Sequence, residues 1–145
     1  MKEYLKELDR NLIYKKHELK NGIYYIYCET NTKEFKHPTK NIYTKSIKDR
    51  YKRVIDDIPF CGKQVKLVLT VKRFAFYDLK EEYREDLVFL SDKYIRNRRT
   101  ERLENYILDI ANNGSSNATE KTLKRNGVKI SDTSINRLIK KKWNK

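Results

Sequence analysis

Cysteine, histidine, glycine and long apolar runs are all scarce in this chain, and each shortage closes a class of function. Two cysteines, Cys28 and Cys61, are too few for a disulfide framework, and the sequence reads as one for a reducing cytosol with two buried thiols. No Cys-x-x-Cys pair exists, so the usual signal for structural zinc is missing. His17 and His37 are the only histidines, and neither stands in a pattern that marks a nucleophile and its base. The four glycines form no phosphate-cradling loop. No stretch approaches the roughly 18 apolar residues of a membrane span, and the opening Met-Lys-Glu-Tyr-Leu-Lys-Glu is no signal peptide. The expectation is a cytoplasmic, nucleoid-associated protein with no membrane partner.

Carboxylates placed for metal-dependent chemistry are equally few. Asp56-Asp57 is the one adjacent pair near a strand, and side chains at i and i+1 of a strand point to opposite faces. With Pro59 and Gly62 close behind, the pair is expected in a turn. The residues offer binding chemistry and no visible catalytic chemistry, so neither an enzyme nor a cofactor is expected.

Positive charge is what the chain has in excess. Its 145 residues carry 34 Lys and Arg against 20 Asp and Glu, a formal net charge of +14. Such a charge attracts polyanions over long range, and nucleic acid is the default partner. Residues 91–145 hold 14 basic and 6 acidic side chains, against 20 and 14 in the first 90. Net positive charge is therefore concentrated at the C-terminal end, +8 over 55 residues against +6 over the first 90. The length suits one modest domain or two small ones, and a soft boundary falls near residue 90, giving units 1–90 and 91–145.

In chain order, residues 2–10 suit a short opening helix. Leu12–Leu19 and Ile23–Glu29 flank Asn21-Gly22, which accepts the positive φ angles of a type I′ turn, so a β-hairpin is expected. Its tyrosines have two readings, a base-stacking platform or half-buried strand residues with wet hydroxyls. Residues 30–49 have no firm period. A second hairpin is expected from Arg50–Ile55, a turn over 56–62, and a long arm from Lys63 to Phe76. There Val65, Leu67, Leu69 and Val71 alternate with polar residues before the apolar set shifts phase to Phe74 and Phe76, which predicts a bulge or strand end near Arg73. From Asp78 the spacing of Leu87, Leu90 and Tyr94, then Leu103, Ile107, Ile110 and Ala111, predicts helix. Between those blocks Arg96, Arg98, Arg99 and Arg102 outnumber the local acids, and are either phosphate contacts or solvated charge.

The segment from Ser115 to Lys142 carries the strongest functional signal. Ser116 or Asn117 caps a first helix that bears Lys121, Asn126-Gly127 ends it, and Ser131 caps a second. On the second helix Ile135, Leu138 and Ile139 form an apolar stripe, whereas Thr133, Ser134, Asn136, Arg137, Lys140 and Lys141 point the other way. That layout is either a helix-turn-helix whose second helix enters a DNA major groove, or a helical hairpin with a solvated basic side.

Asp49 to Pro59 followed by Gly62 to Phe74, then Arg98-Arg99-Thr100, then Leu123 to Arg137 with Gly127, Ser131, Ser134 and Ile135 in register, resembles the N-terminal region of the ISL-three family of insertion-sequence transposases. The resemblance implies a zinc ribbon followed by a helix-turn-helix. It also shows the ribbon degenerate, because its Cys-Pro-x-Cys-Gly falls on His37 to Asn41 and its later cysteines on Phe76 and about Glu81. Loss of zinc is expected, with Phe35, Tyr43, Phe74 and Phe76 packed as an apolar plug in its place. The family's catalytic domain with three metal-binding carboxylates has no counterpart before Lys145. The expected fold is α+β, with N-terminal antiparallel β-hairpins (zinc-ribbon-like, metal lost) followed by a C-terminal helix-turn-helix. The expected function is double-stranded DNA binding without cleavage, as a regulator or a competitor for transposon ends. The alternative is a mobile-element or phage protein whose partner is a nucleic-acid-processing enzyme that it inhibits. The residues expected at the nucleic acid are Arg96, Arg98, Arg99, Arg102, Lys121, Thr133, Ser134, Asn136, Arg137, Lys140 and Lys141.

Overall fold

The computed structural model describes residues 1–90, 98–112 and 114–143, with Trp143 as backbone only. The fold is mixed α+β, an antiparallel-rich sheet followed by helices. A short helix α1 (Lys2–Leu8) leads into β1 (Leu12–Lys20) and β2 (Ile23–Thr30), joined through Asn21 and Gly22 at φ 53° and 77°. Both left-handed residues are what a two-residue turn between twisted strands requires, so this hairpin forms as its sequence predicts. Residues 30–49, without a readable period, supply two very short strands, β3 (Phe35–Lys36) and β4 (Tyr43–Thr44), paired to each other.

The second hairpin is longer than expected. β5 runs Ile47–Phe60 and β6 Lys63–Phe76, with only Cys61 and Gly62 (φ 52° and 71°) in the turn. Asp56 and Asp57 therefore lie in a strand, which corrects their placement in a turn. Pro59 is tolerated because β5 is an edge strand and the register slips between Asp57 and Phe60. The sheet order is β1-β2-β6-β5, β2 and β6 being parallel, and β7 (Glu81–Arg84) pairs with the far end of β6 after a 3-10 turn over Tyr77–Leu79.

Leu87 and Leu90 were expected on a helix. Instead they follow β7 in irregular chain and pack with Phe89 onto Val65, Leu67, Leu69 and Val71, beside Tyr4 and Leu5 of α1. The three-residue step from Leu87 to Leu90 fits a helix only by coincidence, since the core takes Leu87, Phe89 and Leu90 at intervals of two and one along a loop; Tyr94 lies outside the described residues. The irregularity expected near Arg73 is present, but on the partner strand. β6 is continuous, and the extra residue sits across from Arg73 in β5, at Lys48. Phe74 and Phe76 belong to the opposite face of the sheet, where Phe35 stacks on Phe74 with centroids 5.4 Å apart and His37 meets Phe76 edge-on at 5.1 Å. The sheet is thus covered on one face at one end and on the other face at the other, and buried positions change parity between.

Among the described residues three helices follow: α2 (Glu101–Ala111), α3 (Ser116–Arg125) and α4 (Asp132–Trp143). Leu103, Ile107, Leu108, Ala111, Leu123, Val128, Ile135 and Leu138 form their shared core, and Ile58 of β5 packs against both this cluster and the sheet's. No helix among the described residues is long and apolar enough to cross a membrane.

Candidate nucleic-acid interface

Three local devices fix where α4 points. Ser115, one residue before the expected caps, closes the start of α3 by accepting a hydrogen bond from Ala118 N at 3.1 Å. The end of α3 is a Schellman motif: Val128 N donates to Leu123 O at 2.8 Å, Gly127 N to Lys124 O at 3.3 Å, and Leu123 and Val128 bury their side chains. Gly127 has φ +89°, as that motif asks, and it has a second duty. A Cβ there would stand 2.7 Å from Lys63 C and 2.8 Å from Gly62 O, so the turn between the helices sits directly on the backbone of the β5–β6 turn. Ser131 then caps α4, its hydroxyl accepting from Ser134 N at 3.1 Å.

With Ile135 and Leu138 buried and Ile139 packed beside them, the other side of α4 is left to solvent. Thr133, Asn136, Arg137, Lys140 and Lys141 are all exposed there, spaced three and four apart along one side. Ser134 is only half exposed, being turned toward its cap. Asn136 is oriented by its neighbour helix, since the Ser116 hydroxyl donates to its Oδ1 at 2.5 Å. Lys141 also reaches toward Glu104, at 3.9 Å. Lys121 is exposed on α3, and so are Lys124, Arg125 and Lys129, which sequence reasoning did not single out. Their signal was simply proximity to the turn.

The arginine cluster does not act as a group. Arg96 lies outside the described residues. Arg98 is exposed and Arg99 half buried, on a short extended segment whose backbone joins the edge of β5: Asp56 N donates to Arg98 O at 2.6 Å and Thr100 N to Asp56 O at 3.0 Å. Arg102, expected at phosphate, is committed elsewhere. Its Nε and Nη2 donate to the two carboxylate oxygens of Asp57, its Nη1 to Tyr4 O at 3.2 Å, and its guanidinium lies 4.4 Å from the centroid of the Tyr4 ring. The acid that pairs it is 45 residues away, so a count of local acids could not find it.

The tyrosines of the first hairpin divide between the faces. Tyr24 packs edge-on against Phe60 at 5.7 Å, whereas Tyr25 and Tyr27 are half buried on the uncovered face among Glu18, Lys16 and Lys66. Lys16 stands 4.7 Å over the Tyr27 ring and Tyr27 donates to Glu18 at 3.3 Å, so that face is laced by its own contacts.

At the opposite end of the sheet the expected plug forms from Phe35, Phe74 and Phe76, joined by His37 and Tyr83. Tyr43 does not belong to it, being 56% exposed. His37 is buried, and its Nδ1 accepts from the backbone N–H groups of Thr39 (3.2 Å) and Lys40 (3.1 Å), which leaves Nε2 to donate to Glu81 at 2.8 Å. Bonds from Tyr83 and then His37 hold the Glu81 carboxyl below its usual range. Burial pushes the Cys28 thiol up to about 12, which makes it a packing residue rather than a nucleophile. Among the described residues no three His, Cys, Asp or Glu side chains gather as metal ligands would. No protein-family model, curated protein or solved structure matches this chain.

Proposed function

We propose that the protein binds double-stranded DNA through a helix-turn-helix made of α3, the Gly127 turn and α4, and that it acts as a regulator or competitor without cutting. The observation that carries this reading is the side of α4 on which Thr133, Asn136, Arg137, Lys140 and Lys141 stand exposed together while Ile135 and Leu138 seal the other. A helix of this make has the donors and acceptors that base edges need and the charge that phosphates need. In this reading Asn136 and Arg137 reach base edges and Lys140 and Lys121 hold the flanking backbone. The Schellman motif and the seat of Gly127 on the β-hairpin support it, because they hold α4 at a fixed angle to the sheet.

Descent from a transposase end-binding region is the origin we propose. It is supported by the meeting of the four positions that the resemblance pairs with zinc ligands: His37 contacts both Phe76 and Glu81, and Lys40 N bonds to the His37 ring. Equilibrium binding to random duplex DNA followed by selection of the bound sequences tests the function. Enrichment of a short site supports it, and recovery of one stoichiometric enzyme partner with no preferred DNA would favour an inhibitor instead.

A further inference from the structure

The edge of β5 borders an open groove of about 580 Å³ that α4 does not line. Around it stand Tyr51, Arg53, Lys66, Arg84 and Arg98, and the carboxylate among them, Asp56, is bonded to Lys66 at 3.2 Å. Among the described residues that line it, Arg53, Lys66, Arg84 and Arg98 are the cations and Asp56 the carboxylate, with Glu85 and Asp86 beyond Arg53 and Arg84 in the adjoining groove. Arg84 lies 5.2 Å from the centroid of the Tyr51 ring, with Arg73 also near that ring at 5.9 Å. Stacking occupies the flat of a guanidinium and leaves the N–H groups of its rim available for an anion. Burial lowers the pKa of the Arg53 guanidinium, and the charge of Arg84 lowers it further, so like charges are held close beside the groove. The backbone of Arg98 is pinned to Asp56 N two residues before Thr100 caps α2, so the groove begins where the helical unit begins.

We propose that this groove is a second anion site, and that it takes phosphodiester groups of the DNA strand beyond the stretch met by α4. Planar donors around a wet groove suit phosphate oxygens, which accept paired N–H bonds. The anion site rests on the groove itself; DNA as the source of the anion rests on the reading of α4 given above.

The test uses the full chain, labelled for detection of arginine side-chain N–H groups, with inorganic pyrophosphate alone as the first probe. Saturable shifts of the Arg53, Arg84 and Arg98 signals are expected, and in the Arg84→Gln/Arg98→Gln double variant the shift of the remaining Arg53 signal is expected to be lost while the α4 signals stay in place. The second probe is duplex DNA at two lengths, about one and about two helical turns, each over a salt series. For the longer duplex the double variant is expected to flatten the log–log salt slope by about 2, one for each phosphate no longer held, and to leave the shorter duplex unchanged. Uniform weak shifts across all cationic side chains would overturn the site. Saturable shifts with an unchanged slope on the longer duplex would overturn DNA as its occupant and leave the α4 reading standing. Saturation by pyrophosphate in a protein that binds no duplex would overturn both DNA assignments together.

Discussion

Arg102 of α2 closes on the fully buried carboxylate of Asp57 in β5 with two bonds, Nε to Oδ1 at 2.8 Å and Nη2 to Oδ2 at 2.5 Å. Thr100 adds a third from its hydroxyl at 2.6 Å and Ile58 N a fourth at 2.8 Å. Burial alone would lower the pKa of Arg102, but the bonds and charge of Asp57 raise it on balance. This cluster ties the helices to the sheet and to Tyr4 of α1. Removing one partner leaves a buried charge without compensation, so Asp57→Ala and Arg102→Ala are each expected to cost about 3 to 5 kcal/mol in urea unfolding. The double variant should cost clearly less than the sum. Strict additivity would show the two side chains to be independent.

Gly127 is the second joint between the halves. Alanine there meets an unfavourable positive φ and a backbone contact below 3 Å that no side-chain movement relieves. Gly127→Ala is expected to destabilise the fold by about 2 kcal/mol or more, and to weaken DNA binding beyond what the unfolded fraction explains. Gly22→Ala, at φ +77° with open space around it, should cost less, about 1 kcal/mol. Equal destabilisation at the two positions would show that φ alone matters and that the turn does not rest on the hairpin.

Alkaline pH should unfold the protein earlier than its net charge suggests. Burial raises the Cys28 thiol to about 12, and burial followed by the charge of Asp57 raises the Tyr4 phenol beyond its usual range. Both groups stay protonated in the folded chain while the unfolded chain releases protons near pH 9 to 10, so ionisation favours unfolding there. Stability from these groups is therefore intact below about pH 8.5 and is lost as pH rises. Denaturant midpoints measured from pH 7.5 to 11 should fall, and less so in Cys28→Ala. A flat profile up to pH 11 would remove the burial argument for both residues.

Much of the α4 surface was legible from residue order, because an apolar stripe at i, i+3 and i+4 and a serine cap are local signals that the helix obeys. Tight turns were legible where they use Asn-Gly. The turn at Cys61-Gly62 was drawn too broadly, over 56–62, since Asp56, Asp57 and Pro59 imitate a turn and only the edge position of β5 lets them lie in a strand. Arg102 was misplaced for a related reason: its partner comes from a strand that the chain brings back from far away, and composition cannot foresee that pairing. The loop holding Leu87 and Leu90 shows the same limit, since burial from a sheet face can mimic helical spacing.

At the DNA, Arg137→Ala should lower affinity for a selected site by about 1 to 3 kcal/mol and reduce preference over unrelated sequence. Lys140→Ala should weaken all sequences alike and flatten the salt slope by about 1. Binding measured for both variants against selected and scrambled duplexes separates the two roles; an equal drop in affinity on the two duplexes for Arg137→Ala would place that side chain on the backbone.

The measurement that bears most directly on the central claim is the affinity of the intact protein for duplex DNA across a salt series. Several phosphate contacts from α4 and its surroundings predict a log–log slope of about −4 or steeper. A slope shallower than about −1 would mean that the exposed cationic side of α4 does not meet a duplex.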